Sequence, residues 1–247
     1  KTWKENKGDR RYPLVDTKMY LSDLELSSEL NIVQLFLNDF NDAFISKLKL
    51  DATVVLMIKT QNKHGMAEQR RLFMKLMNAN FDTPVIISRD YENLSEEEFQ
   101  LQASTDLGAL LLDGIGDGVF LRATNCGNEQ MKMQTAFGIL QATRTRISKT
   151  EYISCPSCGR TLFDLQETTA KIRSKTSHLK GLKIGIMGCI VNGPGEMADA
   201  DYGYVGTGVG KITLYKEKEV VQRNIPSEDA VNALIDLIKT NGDWVAP

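Results

Sequence analysis

The chain has 247 residues, 42% of them hydrophobic, which is enough for one large domain or two modest ones with a sizeable core. Its formal net charge of -2 excludes the basic surface of a nucleic-acid-binding protein, and no apolar run reaches the roughly 18 residues of a membrane-spanning helix. Four cysteines are too few for a secreted disulfide scaffold, so we expect a metal or redox site in a reducing compartment.

The first half of the chain alternates short apolar runs with helical patterns. Strands are predicted over residues 31–37, 53–58, 85–87 and 109–112. Helices are predicted over residues 39–48 and 66–77, after the Ser95-x-x-Glu98 capping box, and over residues 129–143. This alternation predicts right-handed βαβ units and a parallel sheet covered by helices. Four such units are half of an eightfold barrel or a small open sheet, and we favour the partial barrel-like α/β domain.

A change of pattern near residue 148 predicts a domain boundary, with residues 1–148 before it and 149–247 after it. In the second part, Thr161-x-x-Asp164 predicts a helix start, and residues 182–187 form a predicted strand that leads to Cys189. Short strands are predicted over residues 202–205, 211–215 and 219–222. A last helix is predicted with Ser227 as its cap. These elements predict a smaller α+β domain.

Three of the four cysteines lie in two runs rich in glycine and proline. Cys155 and Cys158 form a C-x-x-C turn, which directs two thiolates at one point, and Cys189 can supply a third from a strand end. A [4Fe-4S] cube needs one ligand for each iron, normally four thiolates. Cys126 has no partner spacing and is interpreted as an unrelated loop cysteine. Glu196, seven residues after Cys189 on a glycine–proline turn, is the better fourth ligand.

Two kinds of metal site fit this spacing. A carboxylate on iron is a harder ligand than a thiolate and should exchange with a substrate oxygen, which predicts an iron that acts as a Lewis acid. The alternative is a structural zinc module that binds a protein partner and catalyses nothing. Typical zinc modules repeat a paired motif, whereas the second run has only Cys189. This difference favours a site with a labile position.

Both runs resemble the motifs of a known family. Residues 152–161 (Tyr-Ile-Ser-Cys-Pro-Ser-Cys-Gly-Arg-Thr) and 187–196 (Met-Gly-Cys-Ile-Val-Asn-Gly-Pro-Gly-Glu) are similar to the cluster motifs of 4-hydroxy-3-methylbut-2-enyl diphosphate synthase of the non-mevalonate isoprenoid pathway. The similarity includes residues 198–206 and runs to Trp244. The resemblance implies a [4Fe-4S] cluster whose ligands are Cys155, Cys158, Cys189 and Glu196. It also implies that Asn192 lies beside the substrate.

The first half is similar only to the long form of this family, which carries an extra barrel-like domain between the catalytic barrel and the cluster domain. Residues 111–119 are the part most similar to that insert. Because the chain begins at Lys1 with no counterpart of the N-terminal barrel, we expect a C-terminal fragment that is inactive in isolation. A fragment gives no information on targeting, so the expected localisation is cytoplasmic, or the plastid stroma in a plastid-bearing organism.

The resemblance also implies an activity and partners. The activity is the reductive ring opening and dehydroxylation of 2-C-methyl-D-erythritol 2,4-cyclodiphosphate to 4-hydroxy-3-methylbut-2-enyl diphosphate. Electrons would come one at a time from ferredoxin or flavodoxin. Neither nucleic acid nor a membrane is an expected partner, and a homodimer is kept as a hypothesis. Glu196 would hold one iron until a substrate oxygen displaces it, and Asn192 would hydrogen-bond that oxygen or a neighbouring hydroxyl.

Overall fold

The computed structural model describes residues 10–24, 26–191 and 193–246. Contacts between residues divide the chain into two compact units, Lys1–Arg146 and Ile147–Pro247. Within the described ranges, no helix combines the length and the apolar surface that crossing a membrane requires.

The first unit contains a parallel sheet whose strand order follows the chain order, β1-β2-β3-β4-β5. Its strands are β1 (Leu14–Asp16), β2 (Asn31–Leu35), β3 (Val54–Ile58), β4 (Val85–Glu92) and β5 (Gly118–Thr124). Its helices are α1 (Thr17–Leu21), α2 (Asp42–Leu48), α3 (Gly65–Asn78), α4 (Glu96–Leu112) and α5 (Glu129–Ala142), with a short 3-10 helix at Leu37–Asp39. The predicted α/β arrangement of this half is therefore confirmed.

One face of this sheet packs against the helices to form the core. Alternate strand residues such as Val33, Leu56 and Ile87 are buried there because side chains along a strand point to opposite faces. Helix α4 starts at the predicted capping box, in which Ser95 and Glu98 cap each other's backbone amides. The capping box therefore fixes the first turn of the longest helix of this unit.

In the first unit, one predicted strand is wrong, one strand was not predicted and one predicted helix begins later than expected. Residues 109–112 are not a strand but the last turn of α4, since Leu107, Leu110 and Leu111 are buried at helical spacing. The strand that follows is β5, which the sequence pattern missed because it is mostly half-buried or exposed. Helix α2 begins at Asp42, after the Asn41 cap, and not at residue 39.

The second unit is built on a mixed five-stranded sheet of order β10-β9-β8-β7-β6. Its strands are β6 (Glu151–Ser154), β7 (Lys183–Met187), β8 (Tyr202–Gly208), β9 (Lys211–Lys216) and β10 (Glu219–Pro226). Its helices are α6 (Leu165–Thr176), the single turn α7 (Gly193–Glu196) and α8 (Ser227–Thr240). Strands β6, β7 and β8 are parallel, while β8, β9 and β10 are antiparallel. This sheet agrees with the predicted mixture of helices and strands.

The ends of two helices in this unit test the predicted caps. The helix predicted to start at Thr161-x-x-Asp164 is present as α6, but its cap is Asp164 and not Thr161, since Asp164 accepts a hydrogen bond from the Glu167 backbone amide. The prediction that Ser227 caps α8 is wrong, because Ser227 is the first helical residue and Pro226 holds the cap position. The helix is held instead by its apolar face, on which Ala230, Leu234 and Ile238 are buried.

Candidate functional site

The two cysteine runs follow neighbouring parallel strands. Strand β6 ends at Ser154, directly before Cys155, and β7 ends at Met187, two residues before Cys189. The register pairs Ser154 with Ile186, so both strands end at the same edge of the sheet. In parallel sheets the carboxyl ends of neighbouring strands are where ligand sites form. The fold therefore brings the two runs together although they are far apart in sequence.

The C-x-x-C turn is held by Thr161. The Thr161 hydroxyl accepts a hydrogen bond from the backbone amide of Cys158 at 3.1 Å, and the Thr161 amide donates to the Cys158 carbonyl at 3.0 Å. A further hydroxyl contact of 3.1 Å joins Thr161 to Ser157, whose φ of 67° lies in the left-handed region. Thr161 thus sets the shape of the turn that presents Cys155 and Cys158.

Gly188 connects the second run to the first. Its backbone amide donates a hydrogen bond to the Cys155 sulfur at 3.3 Å, and its carbonyl accepts one from Leu162 at 3.0 Å. A β-carbon at Gly188 would lie 2.8 Å from the Thr161 side chain. Amide hydrogen bonds to cysteine sulfur are one of the means by which proteins tune iron–sulfur centres. The lack of a side chain at Gly188 thus permits close packing against Thr161, and the Gly188 backbone amide contacts the Cys155 sulfur.

The fourth predicted ligand sits on a one-turn helix. Glu196 is the last residue of α7 and is exposed, and Gly193 at the start of α7 is buried. A β-carbon at Gly193 would lie 2.8 Å from the β-carbon of Met187, so only glycine lets α7 approach the end of β7 this closely. This packing turns the chain back after Cys189 and places Glu196 near the cysteines.

One cavity of about 150 Å³ collects these side chains. Its lining residues are Cys155, Pro156, Ser157, Cys158, Arg160, Thr161, Met187, Cys189, Gly193 and Glu196. Cys155 and Cys189 are half-buried, whereas Cys158 and Glu196 are exposed. The four predicted ligand residues thus line a single cavity that is accessible from solvent.

The remaining predicted residues fall elsewhere. Asn192 lies outside the described residues. Cys126 is fully buried in the core of the first unit, where its thiol contacts the Thr124 carbonyl at 3.2 Å. Sequence reasoning missed the tethering role of Thr161, which it interpreted only as a helix-start residue. The Cys-x-x-Cys-x-x-Thr spacing is a signal that could have indicated a capped turn.

The chemistry of the donor set is compatible with both kinds of metal site expected from the sequence. Three thiols and one carboxylate line the cavity, and thiolates hold structural zinc as well as iron–sulfur clusters. The Gly188 amide directed at the Cys155 sulfur is a contact also found around iron–sulfur centres. Among the described residues, no three His, Cys, Asp or Glu side chains are placed to hold one metal ion.

A known protein family matches the part of the chain that contains this site. Residues 151–240 match the family model described as the GcpE protein C-terminal domain, which includes both cysteine runs and Glu196.

Several relatives of high sequence identity are named as the same kind of enzyme. A protein of Parabacteroides distasonis named 4-hydroxy-3-methylbut-2-en-1-yl diphosphate synthase (flavodoxin) is 58% identical over 216 residues, 87% of this chain and 35% of the relative. One of the same name from Porphyromonas gingivalis is 51% identical over 231 residues, 93% of this chain and 39% of the relative. A chloroplastic ferredoxin form from Oryza sativa subsp. japonica is 55% identical over 179 residues, 72% of this chain and 24% of the relative.

The chain spans 35% and 39% of the length of the two bacterial relatives and 24% of the plant one. The family-model match covers residues 151–240, which contain the segments that build the site. Residues 151–240 of this chain therefore belong to the GcpE C-terminal domain family, and the chain is similar over most of its length to a part of proteins named 4-hydroxy-3-methylbut-2-en-1-yl diphosphate synthase.

Proposed function

We propose that the second unit is the iron–sulfur domain of a 4-hydroxy-3-methylbut-2-enyl diphosphate synthase, with Cys155, Cys158, Cys189 and Glu196 as the ligands of a [4Fe-4S] cluster. The observation that carries the proposal is the position of all four side chains around one cavity of about 150 Å³. The cluster would supply single electrons and, at the Glu196 corner, a Lewis-acidic iron.

The proposed reaction converts 2-C-methyl-D-erythritol 2,4-cyclodiphosphate to 4-hydroxy-3-methylbut-2-enyl diphosphate. Two carbon–oxygen bonds break, one in the cyclic diphosphate and one to a hydroxyl, and a carbon–carbon double bond forms. Two electrons and two protons are consumed, and the hydroxyl oxygen leaves as water. The names of the relatives, which specify flavodoxin or ferredoxin, support an electron-carrier protein as the source of the electrons.

The chain's own residues would divide the work at this site. Glu196 is exposed on a single helical turn, so its side chain can turn away from the cavity without disturbing the buried core. The Gly188 amide, 3.3 Å from the Cys155 sulfur, would stabilise negative charge there. Asn192 would hydrogen-bond the departing hydroxyl or its neighbour. In this arrangement, the substrate would bind once the Glu196 carboxylate moves away from the cavity.

The first unit is proposed to be part of a barrel-like insert, with residues 1–148 assigned to it and 149–247 to the cluster domain. The support is the strand order β1-β2-β3-β4-β5, in which each parallel strand lies beside its neighbours in sequence. Successive strands have this order in a βα barrel, whereas a doubly wound sheet reverses direction at a switch point. The insert supplies none of the proposed ligands.

Metal analysis after anaerobic reconstitution tests the proposed function. About four irons per chain, with iron–sulfur absorption, are expected. One tightly bound zinc per chain, with iron excluded, would overturn the proposal in favour of a structural zinc module. Cys126→Ala serves as the matched control, because this cysteine lies in the core of the first unit and its loss should leave the iron content unchanged.

A further inference from the structure

Charge is unevenly distributed in the second unit. Residues 160–183 contain six Lys or Arg against two Asp or Glu, a net charge of +4. The basic residues are Arg160, Lys171, Arg173, Lys175, Lys180 and Lys183. The rest of the unit, residues 147–159 and 184–247, contains six Lys or Arg against ten Asp or Glu, a net charge of -4. The positive charge of the unit is thus concentrated on α6 and its flanks.

A groove of about 740 Å³ runs along α6. The helix contributes Gln166, Thr169, Ala170 and Arg173, whose spacing of three or four residues places them on one stripe. Arg173 is exposed, and its guanidinium stands 4.9 Å from the centre of the Tyr152 ring. Stacking on an aromatic ring holds a guanidinium in place while leaving its charge accessible. The groove therefore presents the positioned positive charge of Arg173, with the Asp164 carboxylate at the start of α6, among mostly small and polar side chains.

This groove shares a wall with the cavity of the proposed cluster. Cys155, Pro156, Ser157 and Thr161 line both spaces. Cys189 and Glu196 line only the cavity, while Arg173 lines only the groove. The C-x-x-C turn therefore separates the cavity, which contains Glu196, from the groove along α6, which contains Arg173.

We propose that the α6 groove is the docking site of an acidic one-electron carrier protein of the flavodoxin or ferredoxin kind, a proposal that rests on the proposed function. Each encounter would oxidise one reduced carrier by one electron, and the proposed cluster would accept that electron, so two encounters would supply the two electrons of a turnover. The concentration of positive charge around residues 160–183 complements an acidic partner and would steer its approach. The Glu196 side remains free for the substrate.

Binding of oxidised flavodoxin to the chain, without any reconstitution, tests the docking site. Isothermal titration calorimetry at low ionic strength should show that Arg173→Glu weakens binding by about tenfold or more, while Arg173→Lys retains most of it. Arg223→Glu is the matched control, because Arg223 is exposed on β10, at the opposite edge of the sheet from β6. Equal weakening in both Glu variants, or no weakening in Arg173→Glu, would overturn the proposal.

Turnover measurements on the complete synthase distinguish failure of the proposed docking site from failure of the proposed iron–sulfur function. Arg173→Glu should lose activity with flavodoxin but keep it with reduced methyl viologen, a small donor that needs no docking surface. Loss with both donors would mean that the groove contacts another part of the enzyme, and the carrier site would be wrong. Failure of the proposed function has a different signature, namely no iron in the reconstituted wild-type chain, whatever its affinity for flavodoxin.

Discussion

A β-carbon on Gly206 would stand 2.5 Å from the carbonyl oxygen of Gly188. Strand β8 therefore packs directly against the backbone that leads to Cys189, with no side chain between them. The same carbonyl accepts the Leu162 amide at 3.0 Å, so it cannot move freely to make room. The position of the third thiol thus depends on a glycine seventeen residues further along the chain.

Gly206→Ala should destabilise the second unit because the contact is with backbone and not with the end of a flexible side chain. Overpacking of this kind costs about 1–3 kcal/mol of unfolding free energy, measurable by urea denaturation. Iron incorporation should fall as well. Gly195→Ala is the control, since a β-carbon at Gly195 meets nothing within 4 Å. Equal stability of the two variants would contradict the packing argument.

Cys189→Ser should abolish the visible iron–sulfur absorption after anaerobic reconstitution. Serine replaces the only thiol that the second run brings to the cavity. The measurement is the absorption spectrum together with iron content, compared with Cys126→Ala. Retained absorption in Cys189→Ser would show that the ligand assignment is wrong.

Glu196→Ala should separate cluster assembly from turnover. Three thiolates remain to hold the cluster, so iron content should stay near that of the wild type, whereas turnover of the complete enzyme should fall by roughly tenfold or more. Asp199→Ala is a suitable control because Asp199 is also acidic and exposed, three residues later. Wild-type turnover in Glu196→Ala would remove this carboxylate from the mechanism.

The capping box of α4 predicts a pH dependence for the first unit. Hydrogen bonds from the backbone amide and hydroxyl of Ser95 lower the pKa of Glu98 below its usual value. A carboxylate whose pKa is lower in the folded state stabilises the fold above its unfolded pKa and loses that effect as the pH falls through the folded value. Glu98→Gln should therefore lose less stability than the wild type between about pH 6 and about pH 3 in urea titrations. Identical losses would mean that the capping contact contributes nothing.

Much of the fold could be predicted because local patterns and tertiary packing agree. Strands β3 and β7 and helix α3 follow from apolar runs and helical periodicity, and the Ser95 capping box is present as expected. The error at residues 109–112 arose because a continuous apolar run has no periodicity that separates a strand from the end of a buried helix. Strand β5 was not predicted because it is an edge strand with few buried residues and therefore lacks a clear apolar pattern.

The site could be predicted in its residue types but not in its geometry. The spacing of Cys155 and Cys158 indicates a metal site from sequence, and the cavity includes Cys189 and Glu196 as well. The Cys-x-x-Cys-x-x-Thr spacing could have indicated the tether at Thr161, but no sequence pattern indicates the α6 groove, because the groove depends on how α6 packs beside the turn. The role of Asn192 stays a prediction.

The pairing of β6 with β7 also matters for what happens when metal is absent. Strand β6 has only four residues and forms the edge of its sheet. Two of the proposed ligands lie in the turn that follows β6, whereas the other two lie after β7 and on α7. A bound cluster would therefore act as a cross-link that clamps the edge strand to the sheet interior. Without it, detachment of β6 would expose the unpaired backbone of β7, a template for aggregation. Iron supply would then govern the solubility of this domain as well as its redox chemistry.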